Sequence, residues 1–131
     1  MKPLASISLL LAILFLAAGC APRSTAVQVR LKNAGTVPIE NISVNFQGQI
    51  EAFGTLAPGA TSPYHTVTKT YRYARIEATV AGKLGIMQPT DFVGETLLPP
   101  GHYTWPLTGD PQSTEEYGRL LMQASTRDAE P

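Results

Sequence analysis

Residues 27–33 read Val27-Gln28-Val29-Arg30-Leu31-Lys32-Asn33, and residues 42–47 read Ile42-Ser43-Val44-Asn45-Phe46-Gln47. In both stretches apolar and polar side chains alternate one by one. Side chains leave a strand on opposite faces in turn, so this period of two marks a half-buried β-strand. Asn33-Ala34-Gly35 closes the first stretch with turn residues.

Working outward, Gly48 permits a bend before a third strand over 49–56. Leu56-Ala57-Pro58-Gly59 is a turn, with Pro presetting φ and Gly open to positive φ. Residues 62–81 are rich in Thr, Tyr, Val and Ile, which favour strands. Twenty residues exceed the usual strand of about five or six, so two strands with a break near residues 69–72 are expected. In the second, Ala74, Ile76, Ala78 and Val80 share one face, and Tyr71, Tyr73, Arg75 and Glu77 the other. Ala81-Gly82-Lys83 is a hairpin turn, and residues 84–87 pair back. After a loop over 88–95 and the rigid turn Pro99-Pro100-Gly101, Tyr103, Trp105 and Leu107 alternate with His102, Thr104 and Pro106. Pro106 lacks an N–H, which predicts an edge position or the end of the strand.

The fold class is therefore all-β: about seven short antiparallel strands in a β-sandwich, with a partly open barrel as the competing architecture. Leu31-Lys32-Asn33, Leu56-Ala57-Pro58-Gly59 and Leu98-Pro99-Pro100-Gly101 resemble the strand and turn pattern of small immunoglobulin-like domains of bacterial surface proteins, over residues 26–109. That resemblance implies a fold and carries over no functional residue. Beyond Gly109, Ser113-Thr114-Glu115-Glu116 fits a capping box, and Tyr117, Leu120, Leu121 and Ala124 have helical spacing. A short C-terminal helix is expected in 110–131, followed by a disordered tail from Ser125.

The N-terminal residues are of another kind. Lys2 is followed by an apolar run over 4–18, and Arg23 is the next charged residue. A basic start followed by an apolar segment is the layout of a secretory signal. As a helix the run would extend about 22 Å, short of a bilayer core of about 30 Å. The run ends Leu16-Ala17-Ala18-Gly19-Cys20. This junction resembles the lipobox of bacterial lipoproteins, although Ala17 stands where that family most often has Leu. The resemblance implies a signal peptide over 1–19, cleavage before Cys20 and lipidation of its sulfur. Residues 20–25 then form a tether, and the lipid makes the membrane a partner. Several acyl chains on one residue anchor far more firmly than a single chain. The absence of Asp at Ala21 resembles outer-membrane sorting, placing the protein on the periplasmic face where the cell has an outer membrane.

Composition limits what the domain does. The 131 residues carry 10 Lys+Arg against 10 Asp+Glu, so no basic balance points to nucleic acid. One Cys excludes an internal disulfide and a multi-thiolate zinc site. No Gly-x-Ser-x-Gly elbow, P-loop or His-Glu-x-x-His motif occurs. The chain therefore reads as non-catalytic, with no cofactor and no metal. His65, His102, Asp91 and Glu95 have side chains suited to zinc or copper, but no ligand spacing.

The remaining candidates form a recognition surface: Tyr71 and Tyr73 on one strand face, and the loop residues Phe92 and Val93. Each has a structural alternative, the tyrosines as core packing and the loop pair as a cap over the sandwich. The functional expectation is a membrane-anchored envelope lipoprotein, structural or protein-binding, with an envelope protein as partner. The alternative is a periplasmic accessory domain that binds a metal or a carbohydrate.

Overall fold

The computed structural model describes residues 26–130. Nine strands follow in chain order: β1 (Val27–Asn33), β2 (Ile39–Phe46), β3 (Gln49–Leu56), β4 (His65–Val67), β5 (Arg75–Val80), β6 (Lys83–Met87), β7 (Gly101–Gly109), β8 (Leu120–Met122) and β9 (Thr126–Arg127). One sheet has the order β4-β1-β7-β8, with β9 also on β7. The other has the order β3-β2-β5-β6. Both sheets face one apolar core, in which Val29, Leu31, Val44, Ile76, Trp105 and Leu107 are fully buried. Trp105 lies at 5.4 Å from the Phe46 ring, and Phe46 meets Phe53 edge-on at 6.2 Å. The alternating residues of β1, β2 and β5 point inward as their period requires.

The long β-rich run divides where the chain leaves one sheet for the other. β4 pairs with β1, β5 pairs with β2, and residues 68–74 cross between them. Two hairpins turn on paired positive φ values, Gln47-Gly48 and Ala81-Gly82, the conformation that matches strand twist in a two-residue loop.

Three expectations are corrected. First, the ladder is not wholly antiparallel. β1 and β7 run parallel over seven residue pairs, from Val27 with Gly101 to Asn33 with Leu107. Such a pairing needs a long crossover, and everything from β2 to β6 supplies it.

Second, there is no helix among the described residues, and the strands number nine. Gly118 adopts φ +99°, outside the helical region, and the Ser113 hydroxyl donates to the Glu115 carbonyl rather than capping a helix. The segment is held instead by tertiary bonds. Ile86 N–H donates to the Glu116 carbonyl, and the buried Arg119 guanidinium donates to the carbonyls of Ser113 and Leu84. Leu120 is then buried and Leu121 exposed, a period of two that makes β8. The tail from Ser125, expected to be disordered, carries β9.

Third, Pro106 sits inside β7 with strands on both sides. Its carbonyl accepts from Gln123 N–H at 2.9 Å. Two residues separate Thr104 from Leu107 on β7, but three separate Met122 from Thr126 on the returning chain. This one-residue bulge falls opposite the proline, where a ladder donor is missing.

Asn33, read from sequence only as part of a turn, is a fully buried hub. Its amide nitrogen donates to the carbonyls of Val37 and Leu56 at 2.8 and 2.9 Å, and its oxygen accepts from Gly35 N–H. Its backbone bonds Gly59 and Ala60. One side chain thus fastens two loops to the end of β1, and burial without those partners would be costly.

Gly109 of β7 packs directly against Val80 of β5 in the opposing sheet. A methyl group there would stand 2.9 and 3.0 Å from the two Val80 methyl carbons. Gly109→Ala is expected to lower unfolding free energy by about 1–3 kcal/mol through overpacking. Val80→Ala in the same chain recovers part of that loss, as read by urea denaturation of the single and double variants. Simple additivity would contradict the steric explanation.

Candidate functional site

The crossover residues 68–74 bend at Thr68 and Arg72; Thr70 and Ala74 are buried, while Tyr71 and Tyr73 stay half-buried and Arg72 is exposed. Phe92, from the 88–95 loop, stacks on both rings. Its centroid lies 4.8 Å from Tyr71 and 5.6 Å from Tyr73, with interplanar angles of 21° and 19°. The tyrosines are therefore neither core residues nor a bare strip. They form a half-exposed platform that the loop partly covers.

That loop is tightly closed. Val93 N–H donates to the Asp91 carboxylate at 3.1 Å, and Glu95 N–H donates to the Phe92 carbonyl at 3.0 Å. Gly94 supplies the positive φ that the turn needs. Further on, Leu98 N–H donates to the Thr70 carbonyl. The result leaves Val93 89% exposed at the tip. Arg72 donates to both oxygens of Glu95 at 3.3 and 3.2 Å. The hydrogen bond from Tyr73, with the Arg72 guanidinium behind it, holds the Glu95 carboxyl below its ordinary value. The same bond raises the Tyr73 hydroxyl.

Beside the platform lies an open cleft of about 460 Å³. Arg72 and Tyr73 come from the crossover, Met87 from the end of β6, Asp91 from the loop, and Met122 and Gln123 from β8 and the bulge opposite Pro106. This wall escaped sequence reading because residues 113–124 carry a helix-like pattern.

The four residues weighed as metal ligands have separate surroundings. His65 stacks on Phe53 at 3.9 Å, with Nδ1 3.2 Å from Glu51. Gln49 also donates to Glu51, and these bonds lower the Glu51 carboxyl. His102 packs edge-on to Tyr64 at 4.9 Å, with Nδ1 buried and without a hydrogen bond. Asp91 closes its loop, and Glu95 holds Arg72. Among the described residues no three His, Cys, Asp or Glu side chains gather into a metal-sized group. Cys20 lies outside the described residues, and among those described no helix is long and apolar enough to cross a membrane.

A second polar cluster was not legible in the sequence. Asp128 accepts from the Tyr64 and Thr104 hydroxyls, both at 2.7 Å, and lies 3.5 Å from Arg30. Arg30 also donates to Thr104 and stands over the Tyr64 ring at 4.8 Å. Asp128 N–H donates to the His102 carbonyl. Arg127 donates to the Pro100 carbonyl and lies over Tyr103. β9 is only two residues long, and these contacts are what hold it. The outward alternation placed Arg30 and Thr104 on one face, but nothing local marked Asp128 as their partner.

No protein-family model and no curated protein matches the chain. Among solved structures, it is similar to an NMR structure of a protein from Eubacterium rectale, with TM-score 0.54 and 14% identity over 81% of this chain and 94% of that one. At that identity the likeness is one of fold.

The Asp128 clasp predicts a pH dependence. Burial alone would raise the carboxyl, but the bonds from Thr104 and Tyr64 and the Arg30 charge outweigh it, so its pKa is lowered on folding. A lowered carboxyl contributes stability above its unfolded pKa of about 3.9, and that contribution is lost as pH falls through the folded value. Asp128→Ala is expected to cost about 2 kcal/mol at pH 7. In urea denaturation across pH, the gap from the parent chain closes in the acid limb below about pH 4.

Proposed function

We propose that the chain is a non-catalytic, lipid-anchored binding module of the bacterial cell envelope, an immunoglobulin-like β-sandwich held to the membrane through Cys20. The lipobox-like Leu16-Ala17-Ala18-Gly19-Cys20 junction and the single Cys support the anchor. The outer-membrane periplasmic face is the proposed location where that membrane exists.

The observation that carries the binding role is the closed loop at 91–95, which stacks Phe92 on two tyrosines and leaves Val93 exposed. A large aliphatic residue on a loop already ordered presents a small apolar contact at low entropic cost. An envelope protein is the partner this reading assigns to it. The cleft beside the loop favours a second reading, a ligand-binding accessory domain.

Cys20→Ala is expected to move the protein from the membrane fraction to the soluble periplasmic fraction. Continued membrane retention would count against the anchor. A photocrosslinker placed at the exposed residue 96 is expected to give a discrete protein adduct in intact envelopes, and Val93→Asp removes it while the thermal midpoint stays unchanged.

A further inference from the structure

We infer that the cleft between the 88–95 loop and the bulge at 123–125 is a binding site for a short neutral oligosaccharide. The inference rests on the ligand-binding reading of this domain and names its ligand class. The volume, about 460 Å³, falls in the range of small-molecule sites. The lining contains one formal positive and one formal negative charge, Arg72 and Asp91, so its chemistry favours a neutral ligand. Three of its polar groups are planar, a guanidinium, a carboxylate and the Gln123 amide, and they stand beside the Thr90 and Ser125 hydroxyls. Such groups offer paired donors or acceptors, which suit neighbouring hydroxyls that each donate and accept. Tyr73, Met87 and Met122 supply the apolar part, against which the C–H face of a sugar ring packs, with thioethers adapting to its contour.

Two of these side chains, and the backbone that carries the third, are also set before a ligand arrives. Glu95 fixes Arg72, the Val93 N–H fixes Asp91, and the Pro106 carbonyl fixes the backbone at Gln123. This preorganisation lowers the ordering cost of binding. A peptide is the weaker occupant. An extended peptide is held by backbone hydrogen bonds to an open strand edge. Here Pro89 and Pro106 have no N–H, and the Ile86 N–H is already given to Glu116.

The test uses the full chain, titrated with cellotetraose, chitotetraose and mannotetraose at millimolar concentration, and with decanoate as an apolar probe. Amide chemical-shift changes are followed by NMR. The expected result is saturable binding of at least one sugar, with shifts centred on residues 72–73, 87–91 and 122–125. Asp91→Asn, which keeps the oxygen that accepts from Val93 N–H, and Gln123→Ala each weaken it by about tenfold, the loss of one or two good hydrogen bonds, with unchanged unfolding midpoints. Val93→Asp leaves sugar binding intact, which separates this site from the protein contact. Three results overturn the inference: shifts that map elsewhere, full-strength binding in both cleft variants, or no sugar bound. If decanoate fills the cleft while no sugar does, the sugar class fails and the ligand-binding reading stands. If neither binds, both fail.

Discussion

The structure depends on one pairing, the parallel ladder between β1 and β7. It joins residues more than seventy positions apart and runs unbroken for seven pairs. Because a parallel return requires the intervening chain to travel the length of the sheet, the pairing obliges β2 to β6 to form elsewhere. They form the opposing sheet, with β4 alone added to the first. The inward residues of the two strands, Val29, Leu31, Tyr103, Trp105 and Leu107, then make one continuous floor for the core. Asn33 locks the far end of the ladder by satisfying loop carbonyls that burial would otherwise leave without donors.

The candidate site is a by-product of two departures from regular sheet. One is the crossover at 68–74, which frees Tyr71, Arg72 and Tyr73 from strand pairing. The other is the bulge opposite Pro106, which lifts residues 123–125 out of the ladder. Neither is structureless. Glu95 gathers Arg72 and Tyr73, and Asp128 gathers Arg30, Tyr64 and Thr104. In each case a carboxylate near several donors fixes irregular backbone, a role that neutral bonds in a solvated loop perform less well.

What was legible from sequence follows from what is local. Alternation in β1, β2 and β5 and the turns expected at Gly48, at 56–59 and at 81–83 are properties of short windows, and the chain turns at each of these places. The helix expected at 113–124 failed because spacing and a capping box are weak signals against tertiary bonds. Leu84, through its carbonyl on Arg119, and Ile86, through its N–H on Glu116, hold the segment from outside any local window. Pro106 misled for a related reason: a proline is excluded from a strand interior only if the neighbouring strand needs its donor, and here the neighbour steps away. Tyr71, Tyr73 and Phe92 were identified as candidates, yet their stacking required knowing that the 88–95 loop returns over the crossover. Asp128 and the Gln123 wall carried no local mark at all.

The direction of β1 has a geometric consequence. Since it runs parallel to β7, its first residue, Val27, lies beside Gly101, at the end of the domain where the 88–100 loop arrives. The Asn33 hub and the 81–82 hairpin lie at the opposite end. The chain therefore enters the described domain at the end that carries the loop tip. Seven residues, 20–26, span at most about 25 Å when fully extended. An anchor at Cys20, as proposed, would hold that end of the domain within this reach of the membrane, so a partner of the loop tip would be sought in the layer next to the bilayer.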